Sequence, residues 1–433
     1  MLRYTADMQN TNNKKKQTPI ASELEDNGII IELTCDHKTQ GTALAVWDNN
    51  SYQMKPCIKT SQGMCIPYRY THPLIKHKLM LLPEQPEEFG TDEDLVANIR
   101  SYLHKYVDIS PSFELLAAHY ILVTWVYDAF PELPYLRVRG DFGSGKTRFL
   151  KVVGSICYRP LFASGASTVS PIFHMLDSLK GTLIVDEADF RFSDATSEMI
   201  KILNNGNVRG FPVLRCQVTS NNSYEPRAFN IFGPKIVATR GHYEDRALES
   251  RFLTEDTGLQ KLREDIPVSL PNTYASEAQV LRNKLLMYRF RNYTTITNSG
   301  IPRDLLLEPR INQMFAPLLH VAKDESIQYQ LLELAREFNE ELKAERGMDT
   351  EARVLLITRS LQKQSNDPLS IKRITNVYID RFASDSDMRI TTRFIGTVIR
   401  KQLGIKTRKS NGVYIIPQSE HDKLQILFKK YDV

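Results

Sequence analysis

Short, strand-like apolar runs lie at Ile29–Leu33 and Thr42–Trp47, and the turn-forming run Asp48-Asn49-Asn50-Ser51 follows the second. Short apolar runs separated by turn residues read as strands. With the apolar run Lys78–Leu82 read as a further strand, a small β-rich unit is expected over residues 21–88. Ahead of it, residues 1–20 are polar around Asn12-Asn13-Lys14-Lys15-Lys16 and read as a disordered tail. After the linker Pro83–Gly90 the spacing becomes helical. One helix opens at the cap Thr91, with Glu93 and Leu95 in its first turn, and a second, from about Phe113 to Phe130, is apolar nearly all round. A helix without a polar face packs on both sides, so residues 89–133 are expected to form a helical connector. From 134 to 256 strand and helix patterns alternate, as in an α/β sheet domain. Helical periodicity then fills 257–347, with Val280, Leu281, Leu285 and Leu286 on one face and a later run of Leu331, Leu332, Leu334 and Phe338. Residues 348–433 alternate helices with a terminal strand pair.

The junction of strand and helix patterns at residue 140 carries the most specific chemistry. Gly140-Asp141-Phe142-Gly143-Ser144-Gly145-Lys146-Thr147 matches a P-loop at every fixed position, after the strand-like Tyr135–Arg139 and before the helix-like Phe149–Ile156. Glycines let backbone N–H groups turn inward around phosphate oxygens, and the helix N-terminus adds its positive end. Lys146 is placed to reach the β- and γ-phosphates and Thr147 to ligate magnesium, so Gly140–Thr147 predicts a site for ATP or GTP. Forty residues beyond Lys146, the apolar run Gly181–Val185 ends in Asp186 and Glu187. Such a run reads as a buried parallel strand, and ligands bind at the carboxyl ends of these strands. Asp186 is expected to hold magnesium, and Glu187 to position or deprotonate the attacking water. Asp186-Glu187-Ala188-Asp189 also spells a DEAD box, but no second sheet pattern of comparable size follows, as that class requires.

A third strand pattern, Pro234–Thr239, ends in a small polar residue and is followed by Arg240, Arg246 and Arg251, the last within Glu249-Ser250-Arg251-Phe252. This order of P-loop, Asp-Glu strand, polar-ended strand, arginine-bearing segment and helical region resembles the AAA+ ATPases over about residues 110 to 345. The resemblance implies an α/β core with a parallel sheet, a helical lid, and the use of ATP with Mg2+. It puts Thr239 where a sensor-1 residue orients water against the γ-phosphate, although asparagine is commoner there. It puts an arginine finger at Arg251, with Arg240 and Arg246 as competitors. Such a finger acts on a neighbouring subunit, so a homo-oligomeric ring, expected to be a hexamer, is implied. Glu308-Pro309-Arg310 opens a helix with proline at an N-terminal position, and Arg310 resembles a sensor-2 arginine.

Between the Asp-Glu strand and Thr239, two extended runs, Phe211–Thr219 and Tyr224–Asn230, flank the polar turn Ser220–Ser223 and read as a hairpin. In place and size it is similar to the pore hairpin of minichromosome-maintenance and superfamily-3 helicases, which implies a grip on single-stranded DNA. Arg209, Arg215 or Arg227 would then face its phosphates, and a hairpin that only packs on a neighbouring subunit has the same pattern. In the last module Ile371–Asp380 is amphipathic, Thr391–Lys401 is a helix with basic residues on its exposed side, and Leu403–Ile416 is strand, turn, strand. Helix, helix, hairpin looks like a winged helix, with the second helix toward a duplex major groove and the wing along the backbone.

Charge sharpens that last expectation. From Glu351 to Val433 sixteen Lys or Arg face eight Asp or Glu, in a chain whose net charge is only +5, and the imbalance points to a phosphate-backbone partner at that end. With 42% hydrophobic and 25% charged residues over 433 positions, the composition is that of a globular protein. Five cysteines form no CxxC pair, which fits a reducing cytoplasm, and Cys35, His37, Cys57 and Cys65 match no zinc spacing. No run approaches the roughly 20 apolar residues of a membrane span. The sequence therefore reads as a cytoplasmic ring ATPase moving on DNA, similar to replicative or self-loading helicases of mobile elements and phages. An initiator or transposition ATPase that does not unwind DNA, and a protein-remodelling ATPase, are the competing readings.

Overall fold

Five parallel strands form the central sheet of the N-terminal unit, residues 1–332, in the order Phe252–Asp256, Tyr135–Arg139, Lys235–Thr239, Leu183–Asp186 and Leu161–Ser164. The computed structural model describes residues 17–61, 63–164, 168–188, 194–218, 224–243, 245–258, 262–300, 304–348, 350–364, 368–382, 390–410, 412–431 and 433. Parallel strands carry helices on their faces and so need apolar residues on both sides; Leu183, Ile184, Val185, Ile236, Val237 and Ala238 are all buried. Arg137 and Lys235 are buried charges within these strands, and that of Arg137 is paired. Its guanidinium donates to Glu249 Oε2 at 2.7 Å and Thr254 Oγ1 at 2.9 Å while lying over the Phe252 ring.

Helix Pro111–Trp125 is buried from Phe113 through Trp125, as its all-round apolar pattern demands. Ser110 caps it, Oγ accepting from Phe113 N at 3.2 Å, and Pro111 occupies the first turn. It is shorter than the pattern indicated, because the chain leaves the helix at Val126 for the 3-10 turn Tyr127–Ala129. Helix Asp92–Tyr106 opens on a reciprocal capping box between Thr91 and Asp94. Helix Thr273–Asn298, the first of the region read as a lid, is fastened along the P-loop helix Lys146–Ile156. Tyr274 Oη donates to Lys151 O at 2.8 Å and Arg282 Nη1 to Ser155 O at 2.6 Å.

Residues 17–67 add two small sheets. One is antiparallel, Ser22–Leu24, Ile30–Asp36, Gly41–Asp48 and Ser51–Lys55; the other orders Gln17–Ile20, Gly63–Pro67 and Ile58–Thr60. Two expectations change here. Residues 17–20, read as the end of a disordered tail, form a strand parallel to Gly63–Pro67; residues 1–16 lie outside the described residues. Lys78–Leu82 is no strand, since Lys78 takes φ 54° and only Met80 bridges, to Leu161. The antiparallel sheet is joined to the rest of its unit by a buried charge. Glu32 accepts from Tyr158 Oη at 2.9 Å and Arg289 Nε at 2.8 Å and also pairs with Arg159, while Trp47 stacks on Phe290 at 5.5 Å.

The C-terminal unit, residues 333–433, packs helices Thr350–Gln364, Ile371–Phe382, Thr392–Thr397 and His421–Lys430 around Leu355, Ile374, Ile395, Leu424 and Phe428. Its antiparallel sheet runs Leu369–Ser370, Val413–Ile416, Arg408–Ser410. Helix His421–Lys430 follows the strand pair with which the expected pattern ends. Among the described residues no helix is long and apolar enough to cross a membrane.

Candidate functional site

The loop between Tyr135–Arg139 and Lys146–Ile156 turns on glycines for two different reasons. Gly143 and Gly145 have φ 80° and 89°, a left-handed backbone that side chains resist, although a Cβ there would meet nothing within 4 Å. Gly140 is needed for space: a Cβ would lie 2.4 Å from Thr257 O and 2.8 Å from Ser144 Oγ. Thr257, just past the sheet's edge strand, braces the loop, with N to Arg139 O at 2.7 Å and Oγ1 to Ser144 Oγ at 2.9 Å. Nothing in the sequence pattern singles it out. Lys146 Nζ spans the loop, donating to the carbonyls of Gly140 and Asp141, each at 2.7 Å.

The same carboxyl edge gathers the other candidates. Thr147 Oγ1 donates to Asp186 Oδ2 at 2.8 Å, so the hydroxyl and carboxylate expected to share a magnesium ion are already together, and hard oxygen donors suit that ion. Glu187 is exposed and has φ 55°, a costly conformation for a residue with a side chain. Its neighbours fix it there: Asp186 Oδ1 accepts Glu187 N at 3.0 Å, and Ala188 N returns to Ala238 O at 2.9 Å. The strand ending in Thr239 separates the Asp-Glu strand from the P-loop strand. Thr239 is 1% exposed, its carbonyl accepts Gly140 N at 3.1 Å, and its Oγ1 is buried with no hydrogen-bond partner. An orphaned hydroxyl beside a phosphate-shaped loop fits a site completed by a ligand.

The arginines divide between the two ends of the sheet. Arg240 lines a cavity of about 380 Å³ with Arg139, Gly140–Ser144 and Asp256–Gly258, on the P-loop's side. Arg251 lies at the other end, where its carbonyl accepts Tyr135 N at 2.9 Å, at the start of the P-loop strand. Five residues of strand, about 17 Å, separate that level from Gly140. Arg251 is held by Asn207 Oδ1 and Asn204 Oδ1, each at 3.1 Å, and burial, then the nearby charge of Arg310, lowers its pKa. Arg310 itself donates to Gln313 Oε1 at 3.2 Å. Thus the structure brings Gly140–Thr147, Asp186, Glu187 and Thr239 together, and sets Arg251 and Arg310 together elsewhere.

The hairpin exists, as Val213–Val218 paired antiparallel with Tyr224–Phe229, but its arginines do not face outward as expected. Its turn, 219–223, lies outside the described residues. Arg215 and Arg227 are cross-strand partners and therefore share a face, the one turned to their own chain. Arg215 pairs with Glu198 at 2.9 Å and sits 3.9 Å over the Phe173 ring; Arg227 pairs with Asp177 at 3.2 Å and lies over Phe229. Arg209 donates to Asp128 O and lies over Phe232. The opposite face is apolar, with Leu214 69% and Tyr224 76% exposed, and Phe211 64% exposed at its base. In the C-terminal unit, by contrast, Ile390–Ser410 contains no Asp or Glu, and Arg393, Arg400, Lys401, Lys406, Arg408 and Lys409 are all exposed.

No protein-family profile matches this chain, and no curated protein does. Among solved structures it is similar to the C-terminal region (305–718) of NrS-1, with TM-score 0.36, 12% identity and coverage of 89% of this chain and 96% of that one. It is also similar to JCV helicase, with TM-score 0.24, 13% identity and 58% and 62% coverage. The Aeropyrum pernix ORC1 protein in complex with DNA gives TM-score 0.24, 14% identity and 75% and 93% coverage. TM-scores this low carry no argument about function, which is read from the site alone.

Proposed function

We propose that this chain is an AAA+ ATPase that hydrolyses ATP at a site completed by a neighbouring copy and applies the cycle to DNA, as a ring-forming helicase. The nucleotide half of this reading rests on the 2.8 Å contact between Thr147 and Asp186 beneath the glycine loop, with Glu187 and the unpartnered Thr239 hydroxyl on the same edge. Thr147 and Asp186 would hold magnesium, which when bound neutralises charge on the β- and γ-phosphate oxygens. Lys146 exchanges its two carbonyl partners for phosphate oxygens. Glu187 accepts the proton of the attacking water, and the Thr239 hydroxyl gains the partner it lacks by bonding that water. Arg251, with Arg310 beside it, is too far along the sheet to serve its own P-loop. In a ring, expected to be a hexamer, it exchanges the Asn204 and Asn207 carbonyls for the phosphates of the next copy, and such a trans arginine contributes about 10³ to 10⁵ in rate.

The DNA half rests on the acid-free basic surface of Ile390–Ser410. As a winged helix it would set Arg393 and Lys401 toward a duplex groove and Lys406, Arg408 and Lys409 along the backbone. The test is ATP hydrolysis and strand displacement on a forked duplex. Stimulated hydrolysis with strand release supports the helicase; stimulated hydrolysis without release makes the protein a DNA-bound switch. A second reading has one observation behind it: among the described residues the outward face of the hairpin is apolar, with Leu214 and Tyr224 exposed, a surface suited to polypeptide. Stimulation of hydrolysis by unfolded protein and not by DNA would decide for a remodelling ATPase.

A further inference from the structure

We infer that Arg240 contacts the terminal phosphate of the nucleotide bound to its own chain, in contrast to Arg251, which serves the neighbour's. The inference rests on the ATPase reading above and assigns a cis role to a residue that the sequence offers only as a rival finger.

Register fixes its position. Thr239 pairs with Arg139 in the parallel sheet, so Arg240 leaves its strand level with Gly140, and the bond from Gly140 N to Thr239 O, 3.1 Å, locks the two exits together. Arg240 is exposed and lines the cavity of about 380 Å³ whose other walls are Gly140–Ser144 and Asp256–Gly258. Arg240 directly follows Thr239, whose hydroxyl meets the attacking water in the reading above, and that water lies at the terminal phosphate. A guanidinium on that wall lies across from the loop's backbone donors. Two acids belong to the cavity wall, Asp141 and Asp256, and Asp256 takes Arg139 in a bidentate pair, at 2.6 and 2.7 Å, while Arg139 Nη1 also contacts His242 at 2.7 Å. Asp256 and Arg139 thus compensate one another inside the cavity. Of the three arginines between Thr239 and Phe252, Arg240 is the one in the cavity wall, whereas Arg251 is tied to Asn204 and Asn207 at the far end of the sheet.

A planar guanidinium recognises phosphate through paired hydrogen bonds, and a charge-assisted bond of this kind changes affinity by about tenfold or more. The proposal therefore predicts selectivity for three phosphates over two. The experiment measures binding of a non-hydrolysable ATP analogue and of ADP, each with Mg2+, to the full chain and to Arg240→Ala and Arg240→Lys. Arg240→Ala should lose about tenfold or more for the analogue and less than about twofold for ADP, with Arg240→Lys in between and the ligand-free melting temperatures unchanged. Equal losses for both nucleotides, or none, would overturn the inference and leave Arg240 a brace for the loop. Mixed assemblies supply the second arm. Combining Lys146→Ala chains with Arg251→Ala chains regenerates intact sites, whereas combining Lys146→Ala with Arg240→Ala does not, because both defects belong to the chain that binds the nucleotide. Regained hydrolysis in the Arg240 mixture would show that Arg240 acts in trans and would overturn the assignment. Unimpaired nucleotide binding by Lys146→Ala alone would instead bring down the ATPase reading, and the role of Arg240 with it.

Discussion

Thr239→Val should make the ligand-free protein more stable and the enzyme slower. The Thr239 side chain is 1% exposed and its hydroxyl has no partner, so the folded state bears the desolvation of a polar group with no hydrogen bond in return. Valine has nearly the same shape and no such group. Removing an unpaired buried hydroxyl recovers about 1–2 kcal/mol, toward the lower end of what burying an unsatisfied polar group costs. Thr239 lies in the compact unit of residues 1–332. At about 2 cal/mol/K of unfolding entropy per residue, a gain of that size raises its melting temperature by about 1.5–3 °C. Scanning calorimetry on nucleotide-free protein measures it directly. With a bound, non-hydrolysable ATP analogue and Mg2+ the advantage should shrink, because only the threonine gains a partner from the ligand side. Turnover should fall by about 10²-fold, as for the loss of one positioned hydrogen bond in a reaction site. A ligand-free Thr239→Val protein that melts lower than the parent, or one that hydrolyses ATP at the parent rate, refutes the reasoning. The first result would mean the hydroxyl is satisfied, the second that it has no part in the reaction.

Glu187→Gln should bind nucleotide as the parent does and turn over about 10² to 10⁴ times more slowly; normal steady-state hydrolysis would remove Glu187 from the role of base. Arg289→Ala should cost about 3–5 kcal/mol in urea unfolding, since it strands the buried Glu32 and takes the bidentate partner from Asp128; a loss below about 1 kcal/mol would show that the network is dispensable. If three or four of the exposed cations in Ile390–Ser410 contact phosphates, duplex affinity should fall about 40- to 150-fold between 50 and 200 mM salt, and salt-independent binding would contradict a backbone contact.

The parts of this protein that were legible in its sequence are those where local pattern and chemistry coincide. Gly140–Thr147 announces its turn because only glycine adopts the φ of residues 143 and 145, and Leu183–Asp186 announces burial by an unbroken apolar run. Leu161–Ser164 went unnoticed because four residues with a half-buried end give too short a period, and Lys78–Leu82 imitates a strand in composition while φ 54° at Lys78 breaks it. Two extended runs around a polar turn located the hairpin, but that pattern does not say which face turns inward. That depended on Glu198 and Asp177, which lie outside the hairpin and draw Arg215 and Arg227 onto their own chain. The separation of Arg251 from Lys146 was equally hidden, since only eleven residues of sequence lie between Thr239 and Arg251 while the sheet puts them at opposite ends. Glu32, the lone charge within Ile29–Leu33, is a buried anion held by residues more than a hundred positions away, so nothing local to it reveals its partners.

The central claim is that one chain holds the phosphates and the metal while the next supplies the arginine. ATP hydrolysis per chain, measured with Mg2+ across protein concentrations that span assembly, tests it most directly. The account predicts a specific activity that rises steeply as copies associate and vanishes on dilution to single chains. A specific activity that stays flat down to the isolated chain would contradict it, because the P-loop edge would then be complete without Arg251 of a neighbour.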